Sequence, residues 1–259
     1  MSIILSIETA TDQSSVALMD GLQLVWELSM HHGRDLSQKL IPALQQMMMI
    51  TGGSLGDVDA VGVSVGPGSF TGLRVGVTVA KTLAYSLGVP LAAVSTLHAL
   101  AEGSRARGSD LIVALLDARR RQLFAAAFAR YSDGLHRLQP DTIVDLEDLP
   151  AFVRGAIGSY EAILGGPSPP RTADPLWAPT AHRFKVGSGA LALVGGCSLA
   201  LLGDLSEDSL GCVTVAAYPQ ARDVAGIAHD LLSRRETIDP AQLTPAYIRR
   251  SYAEEKAGE

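Results

Sequence analysis

The stretch Ile3–Leu28, IILSIETATDQSSVALMDGLQLVWEL, decides the fold, because it contains three strand signals joined by two turns. Residues 3–7 form a continuous apolar run, which is typical of a strand buried on both faces. A polar turn leads to a second strand at 15–19. Asp20-Gly21 is a strong hairpin signal, and a third strand follows at 22–28. The stretch therefore predicts an antiparallel meander.

Helices and strands alternate after the meander. The predicted elements are a helix at 35–50, a strand at 58–65, a helix at 71–87, a strand at 90–94 and a helix at 96–105. Three hairpin-linked strands that feed βαβ crossovers form the element order of an actin-like, or ribonuclease-H-like, lobe. The first lobe is expected to span residues 1–105.

The pattern restarts at residue 111, where LIVALLDARRRQLFAAAFAR predicts a strand, a turn and a return strand. Weaker signals predict a strand at 142–144, a short helix at 146–154, a strand at 162–164 and a last helix at 220–235. The predicted fold is therefore α/β, with two actin-like lobes whose mixed sheets follow the order βββαβαβα, the second lobe being truncated.

The second lobe is expected to span residues 106–259, and its terminal helix is a candidate to pack back on the first lobe. Residues 166–185 are rich in Pro and predict a long surface loop.

Composition limits the class of function. The chain has 21 basic and 27 acidic residues, a net charge of −6 and 47% hydrophobic residues, so we expect a folded protein that binds nucleic acid poorly by itself. Its two cysteines, Cys197 and Cys212, match no metal-ligand spacing. The N-terminus lacks a basic signal region, and no apolar window reaches the length of a membrane helix, so we predict a cytoplasmic protein without membrane contact.

A glycine-rich loop joins the fourth strand to the second helix in VGPGSFTGLRVG, residues 65–76. The candidate loop residues are Gly66, Pro67, Gly68, Ser69, Phe70, Thr71, Gly72 and Arg74. The start of a helix attracts anions, but the Lys-[Ser/Thr] pair of a phosphate-binding P-loop is missing. The loop is therefore interpreted either as an anion cradle or as a tight strand-to-helix turn.

Small residues recur at every fourth position of the helix that follows, at Gly72, Gly76, Ala80, Ala84 and Gly88. Such a flat ridge allows another helix to approach closely, although the lobe's own sheet could equally cover it. In the first helix, Met47, Met48 and Met49 cannot all face one core, and flexible Met side chains are common at adaptable binding surfaces. Both helices are therefore candidates for a partner surface.

The chain resembles the TsaB (YeaZ) family in four stretches, which are residues 4–18, 65–101, 115–128 and 245–250. The resemblance implies a non-catalytic relative of TsaD, the subunit that transfers threonylcarbamoyl to adenosine 37 of tRNA. It implies a scaffold that forms a direct heterodimer with TsaD, joins TsaE in a ternary complex, forms a homodimer when alone, and contacts tRNA only indirectly.

The resemblance also assigns the partner surface to the first two helices. The residues expected to bind the partner are Leu36, Leu40, Leu44, Met47, Met48, Gly72, Leu73, Gly76, Ala80, Leu83 and Ala84. Leu36 stands where many relatives carry a His at the start of the first helix.

Catalytic groups of the related transferase are missing. Its His-x-x-x-His metal pair falls on Thr96 and Leu100, so we predict neither a metal site nor a catalytic residue. Glu8 replaces the usual first-strand Asp and, with Thr9 and Thr11, marks a vestigial nucleotide site. No cofactor is predicted, and ATP is expected only at the interface with the partner.

Two other functions remain open from the residues. The chain could be an enzyme acting alone, as an actin-like phosphotransferase or a glycoprotease-like metallopeptidase. It could also be a structural protein that pairs its flat ridge with a second copy. ATP or zinc binding by the isolated protein would favour an enzyme, and a homodimer that TsaD does not displace would favour self-association.

Overall fold

A computed structural model describes residues 2–31, 35–104, 111–131, 134–164, 185–186, 189–195 and 213–249. The chain divides into two compact units, of which the first comprises Met1–Ala99 with Pro219–Glu259 and the second Leu100–Tyr218. The sequence-based division placed residues 106–259 together, whereas here the residues from Pro219 onward belong to the first unit.

The first unit contains a five-stranded mixed sheet in the order β3-β2-β1-β4-β5. Its strands are β1 (Ile3–Glu8), β2 (Gln13–Asp20), β3 (Gln23–His31), β4 (Ala60–Gly66) and β5 (Leu91–Ser95). The first three strands are antiparallel, and β4 and β5 run parallel to β1. The predicted meander is confirmed.

Five α-helices are described: α1 (Leu36–Thr51), α2 (Phe70–Leu87), α3 (Thr96–Gly103), α4 (Leu149–Leu164) and α5 (Ala221–Ser233). α1 and α2 share one hydrophobic core with Leu5 and Ile7 of β1. α5 packs on the other face of the same sheet, against Ile4 and Ala92. The sheet is therefore covered on both faces, as expected of an α/β layer.

Close approach of α5 depends on a glycine in β4. A Cβ added at Gly62 would lie 2.9 Å from the Cβ of Ala228 in α5. Ser6 and Ser15 also hold the start of α5, since the Ser6 hydroxyl donates to Ala221 O at 2.7 Å and the Ala221 N–H donates to Ser15 Oγ at 2.8 Å.

The second unit contains a sheet in the order β11-β10-β6-β7-β8, with β9 paired to β10. Its strands are β6 (Leu111–Arg119), β7 (Gln122–Tyr131), β8 (Gly134–Asp145), β9 (Lys185–Val186), β10 (Gly189–Gly195) and β11 (Val213–Ala216). The two sheets with their helices confirm the predicted α/β, actin-like fold, including the repeated opening of three antiparallel strands.

Two local predictions in the second unit need correction. The third strand is much longer than residues 142–144, because β8 starts at Gly134. The strand predicted at 162–164 is wrong, because α4 continues to Leu164 and buries Val153, Ala156 and Tyr160 at helical spacing. The Pro-rich loop, apart from Lys185, lies outside the described residues.

Candidate functional site

The glycine-rich loop closes against the chain's own β1–β2 turn. The Ser69 N–H donates to Ala10 O at 2.7 Å, and the Gly72 N–H donates to Ser69 Oγ, the N-cap of α2, at 3.3 Å. Gly68 has φ +158°, and a Cβ there would lie 2.3 Å from Ala10 O. The loop therefore needs glycine in order to admit the Ala10 carbonyl, which favours the tight-turn interpretation over the anion cradle.

The small-residue ridge of α2 is filled from within the same unit. The Thr9 hydroxyl donates to Gly72 O at 2.9 Å. A Cβ at Gly72 would lie 2.1 Å from Thr9 O, and one at Gly76 would lie 2.1 Å from Thr9 Oγ1. Ala80 and Ala84 are buried in the core of the unit. The expectation that another protein's helix occupies the ridge is therefore wrong at these four positions, whereas a Cβ at Gly88 would meet nothing within 4 Å.

Most of the other side chains predicted to bind a partner belong to the core. The residues buried with the sheet are Leu36, Leu40, Leu44, Met47, Leu73, Ala80 and Ala84, while Met48 and Leu83 are half-buried at its margin. The apolar stripe of α1 is thus the face that packs on β2 and β3 and against α2. These buried residues cannot form a docking surface while the unit remains folded.

Other apolar residues of α1 and α2 do face solvent. We call Ile41, Met49, Ile50 and Tyr85 the exposed apolar set; Met49 is 80% exposed and Tyr85 is 78% exposed. Of the three consecutive methionines, Met47 is buried, Met48 is intermediate and Met49 is exposed. The prediction that they cannot share one core is confirmed, and it points to Met49 as the surface residue.

A second exposed feature stands at the start of α2, where Arg74 lies over an aromatic pair. Its guanidinium carbon is 3.9 Å from the ring centroid of Phe70, and its Nε donates to the Tyr247 hydroxyl at 3.0 Å. The rings of Phe70 and Tyr247 are stacked with centroids 4.7 Å apart. Sequence reasoning included Phe70 and Arg74 in the loop but missed Tyr247, for which the motif at 245–250 was the available signal.

Glu8 ends β1 as a fully buried carboxyl group. Burial raises its pKa from 4.5 to about 7; the Ser64 hydroxyl and the Ala10 N–H act in the opposite direction, and the charge of Asp223 adds to the rise. The Ala10 N–H donates to Glu8 Oε1 at 2.5 Å. The side chain is thus held inside the unit near its titration point at neutral pH.

The other two residues of the predicted vestigial nucleotide site make local contacts. The Thr9 hydroxyl is hydrogen bonded to the Gly72 carbonyl of α2. The Thr11 hydroxyl donates to Gln13 O at 2.8 Å, at the end of the β1–β2 turn. Thr9 and Thr11 lie on the β1–β2 turn directly after Glu8, and Thr9 is turned towards the glycines of α2.

The positions corresponding to the histidine pair lie in the first turns of α3. Thr96 and Leu100 are both fully buried, and the His98 backbone N–H donates to Ser95 Oγ at 3.3 Å. Over the described ranges, no group of three or more His, Cys, Asp or Glu side chains could hold a metal ion. None of the described helices is long and apolar enough to cross a membrane.

The chain is similar to several known proteins. A family model described as TsaD, tRNA N6-adenosine threonylcarbamoyltransferase, matches residues 30–152. The tRNA threonylcarbamoyladenosine biosynthesis protein TsaB of Escherichia coli is 38% identical over 135 residues, which cover 51% of this chain and 57% of that protein. TsaB of Bacillus subtilis is 36% identical over 146 residues, covering 56% of this chain and 63% of that protein.

Longer matches extend this similarity. An uncharacterized protein of Mycobacterium tuberculosis is 30% identical over 171 residues, covering 64% of this chain and 78% of that protein. The structure of YeaZ from Pseudomonas aeruginosa has a TM-score of 0.71 and 23% identity, and covers 95% of this chain and 100% of its own.

Two mixed sheets that each open with three antiparallel strands, and a glycine loop that clamps the β1–β2 turn, define an actin-like α/β protein. The sequence matches narrow this class further. Over about half of its length the chain is similar to the TsaB proteins named above, and it shares the fold of YeaZ. Its matches span 57% and 63% of the two TsaB relatives named above.

Proposed function

We propose that the chain is a non-catalytic scaffold that forms a heterodimer with a TsaD-type transferase and activates it for N6-threonylcarbamoyladenosine formation at position 37 of tRNA. The relatives named for this pathway support the proposal. TsaE joins the complex, tRNA is contacted only through the partner, and the protein acts in the cytoplasm. ATP binds, if at all, at the interface with the partner.

The proposal that the chain is not a catalyst rests on the side chains that α3 carries. The resemblance to the transferase puts its imidazole pair at Thr96 and Leu100, which lie inside the matched segment 30–152. Leu100 has no atom that could bind a metal, and Thr96, four residues earlier on α3, is fully buried. These two side chains cannot replace two imidazoles as metal ligands, since a hydroxyl is a weak ligand and Leu provides none. The chain therefore acts through a partner.

The exposed apolar set provides the surface for that partner. Met49 and Tyr85 expose large apolar areas on two neighbouring helices, and interface cores are enriched in Met and Tyr. Met side chains adapt to the surface that they meet. We infer that this surface also pairs two copies of the chain when the transferase is absent, so that heterodimers replace homodimers on mixing.

A reconstitution tests the activity. The chain, the transferase, TsaE and the enzyme that makes threonylcarbamoyl-adenylate are mixed with unmodified tRNA, and the modified nucleoside is measured by mass spectrometry. The full mixture should modify tRNA, whereas the chain alone and the mixture without it should not. Full modification without the chain would refute the proposal, as would zinc-dependent peptidase activity or ATP turnover by the chain alone.

Surface variants test the docking face. Met49→Glu and Tyr85→Glu should weaken binding to the transferase by at least about tenfold, because each buries a charge in the interface. Leu22→Glu is the matched control, since Leu22 is 69% exposed on the β2–β3 turn and belongs to neither helix. Equal affinities for all three variants would place the partner elsewhere.

A further inference from the structure

The Arg74 cluster is built from two distant parts of the chain. Phe70 and Arg74 lie one helical turn apart on α2, so the guanidinium reaches back over the ring. The C-terminal segment delivers Tyr247: the Ala246 N–H donates to Val65 O at 2.7 Å, and Lys81 Nζ donates to Leu243 O at 2.7 Å. The segment is thus tied to β4 and α2 by residues that precede Tyr247.

These contacts hold Arg74 in one orientation on an exposed surface. The ring of Phe70 supports the flat face of the guanidinium, and the Tyr247 hydroxyl accepts from Nε. Both aromatic residues remain accessible, with Phe70 37% and Tyr247 41% exposed. A side chain that is already ordered loses little conformational entropy when a partner binds.

The unused end of Arg74 indicates the ligand. Within the part of the chain that the structure describes, Nη1 and Nη2 make no hydrogen bond or ion pair, since only Nε is engaged. Two parallel N–H groups at the end of a guanidinium match the two oxygens of a carboxylate or a phosphate. The outer end of Arg74 therefore has the geometry to bind an oxyanion.

The surrounding charge favours a protein carboxylate over a nucleic-acid phosphate. Binding to a phosphate backbone requires several cations, whereas this chain has a net charge of −6. The other cations of the two described segments that form the cluster are Lys81, which is hydrogen bonded to the Leu243 carbonyl, and Arg249, two residues beyond Tyr247. One arginine beside exposed aromatic rings is instead the composition of a protein–protein hot spot. Arg74 also stands on α2, the helix that carries Tyr85.

We propose that Arg74, oriented by Phe70 and Tyr247, docks a carboxylate side chain of the transferase and is an energetic centre of the heterodimer. This inference rests on the proposed function, which supplies the partner. Arg74 binds the carboxylate through Nη1 and Nη2, and Tyr247 acts as a positioning residue through Nε. The partner's aliphatic or aromatic groups around that carboxylate cover the exposed edges of the two rings.

Calorimetric titration of the full-length chain with the transferase tests the role of Arg74. Arg74→Gln should weaken the affinity about 10-fold to 100-fold, and Arg74→Lys should recover only part of it, because Lys keeps the charge but loses the paired N–H geometry. Tyr247→Phe should cost less than Arg74→Gln, since it frees Nε but keeps the ring. The matched control is Arg154→Gln, an exposed arginine on α4, which should leave the affinity unchanged.

Three measurements separate the outcomes. The melting temperature of each variant should stay at the wild-type value, and raising the salt concentration should weaken the wild type more than Arg74→Gln. Wild-type affinity in Arg74→Gln overturns this inference and leaves the proposed function intact, whereas a wild-type chain that does not bind the transferase removes both. Loss of tRNA binding in Arg74→Gln, with unchanged protein affinity, would assign the cluster to a phosphate and also overturn it.

Discussion

Replacing Gly76 by Ala distinguishes an internal ridge from a ridge that receives a foreign helix. A Cβ at position 76 would lie 2.1 Å from Thr9 Oγ1 and 3.2 Å from Thr9 Cβ, whereas real Cβ atoms essentially never approach another heavy atom within 3.0 Å. Thr9 must therefore move, and its hydrogen bond to the Gly72 carbonyl is weakened or lost.

Opposing effects set the size of the change. Ala is better than Gly in a helix by up to about 1 kcal/mol, which favours the variant. Overpacking a close-packed site costs about 1–3 kcal/mol, and the lost hydrogen bond about 1 kcal/mol more. We therefore expect Gly76→Ala to lower the free energy of unfolding by about 1–3 kcal/mol, and the melting temperature by about 2–10 °C.

Chemical denaturation and calorimetry measure this change, with Gly226→Ala in α5 as the matched control. A Cβ at Gly226 meets nothing within 4 Å, so this variant should be neutral or more stable by up to about 1 kcal/mol. In a Thr9→Ala background, Gly76→Ala should cost less, because the hydroxyl and methyl groups that clash are gone. Such coupling assigns the cost to the Thr9 contact.

Equal stability of Gly76→Ala and Gly226→Ala would contradict a ridge filled by Thr9. That result would mean that the ridge has free space in the isolated chain and that a foreign helix could reach it. A variant that is unstable both with and without Thr9 would also contradict the argument, since the strain would then lie elsewhere in α2.

Three further predictions concern the core and the charge of the first unit. Glu8 binds a proton more tightly in the folded chain, with a pKa of about 7 against 4.5, so its contribution to stability is complete below pH 4.5 and is lost as the pH rises through 7. Unfolding measured against pH should show a decline of about 1.4 kcal/mol per pH unit in that window, which Glu8→Gln should remove. Leu40→Ala should lower the free energy of unfolding of the isolated protein by about 2–5 kcal/mol and Met49→Ala by less than about 0.5 kcal/mol; equal effects would contradict the assignment of Leu40 to the core. Gly62→Ala should destabilise the chain because its Cβ would lie 2.9 Å from the Cβ of Ala228, and adding Ala228→Gly should restore part of the loss if α5 packs on this strand.

Element order was predictable because it depends on local patterns. The apolar run of β1, the Asp20-Gly21 turn and the helical spacing of Leu36, Leu40 and Leu44 each act within one element, so the meander and the crossovers could be derived from them. The end of α4 was not predictable in this way, because a short apolar segment at 162–164 fits a strand and a buried helix turn equally well.

The candidate site was harder to predict because an apolar stripe does not identify what covers it. The residues assigned to a partner on α1 form the same stripe that packs on the sheet, and the residues left for a partner, such as Met49, are those outside it. The resemblance to a family assigned a partner surface to α1 and α2, and this assignment stays a prediction. It could not choose between the faces of the two helices, because the buried and the exposed face are read from the same sequence.

By itself the sequence determined the strands and helices of the first unit and the need for tiny side chains along α2, since these follow from the spacing of residues within one element. Only the tertiary structure decided that Thr9 fills the ridge and that Tyr247 orients Arg74. Both contacts join segments far apart in the chain, and their partners are set by the path of the backbone, because side chains touch only what the packing of the sheet and helices brings within a few ångströms.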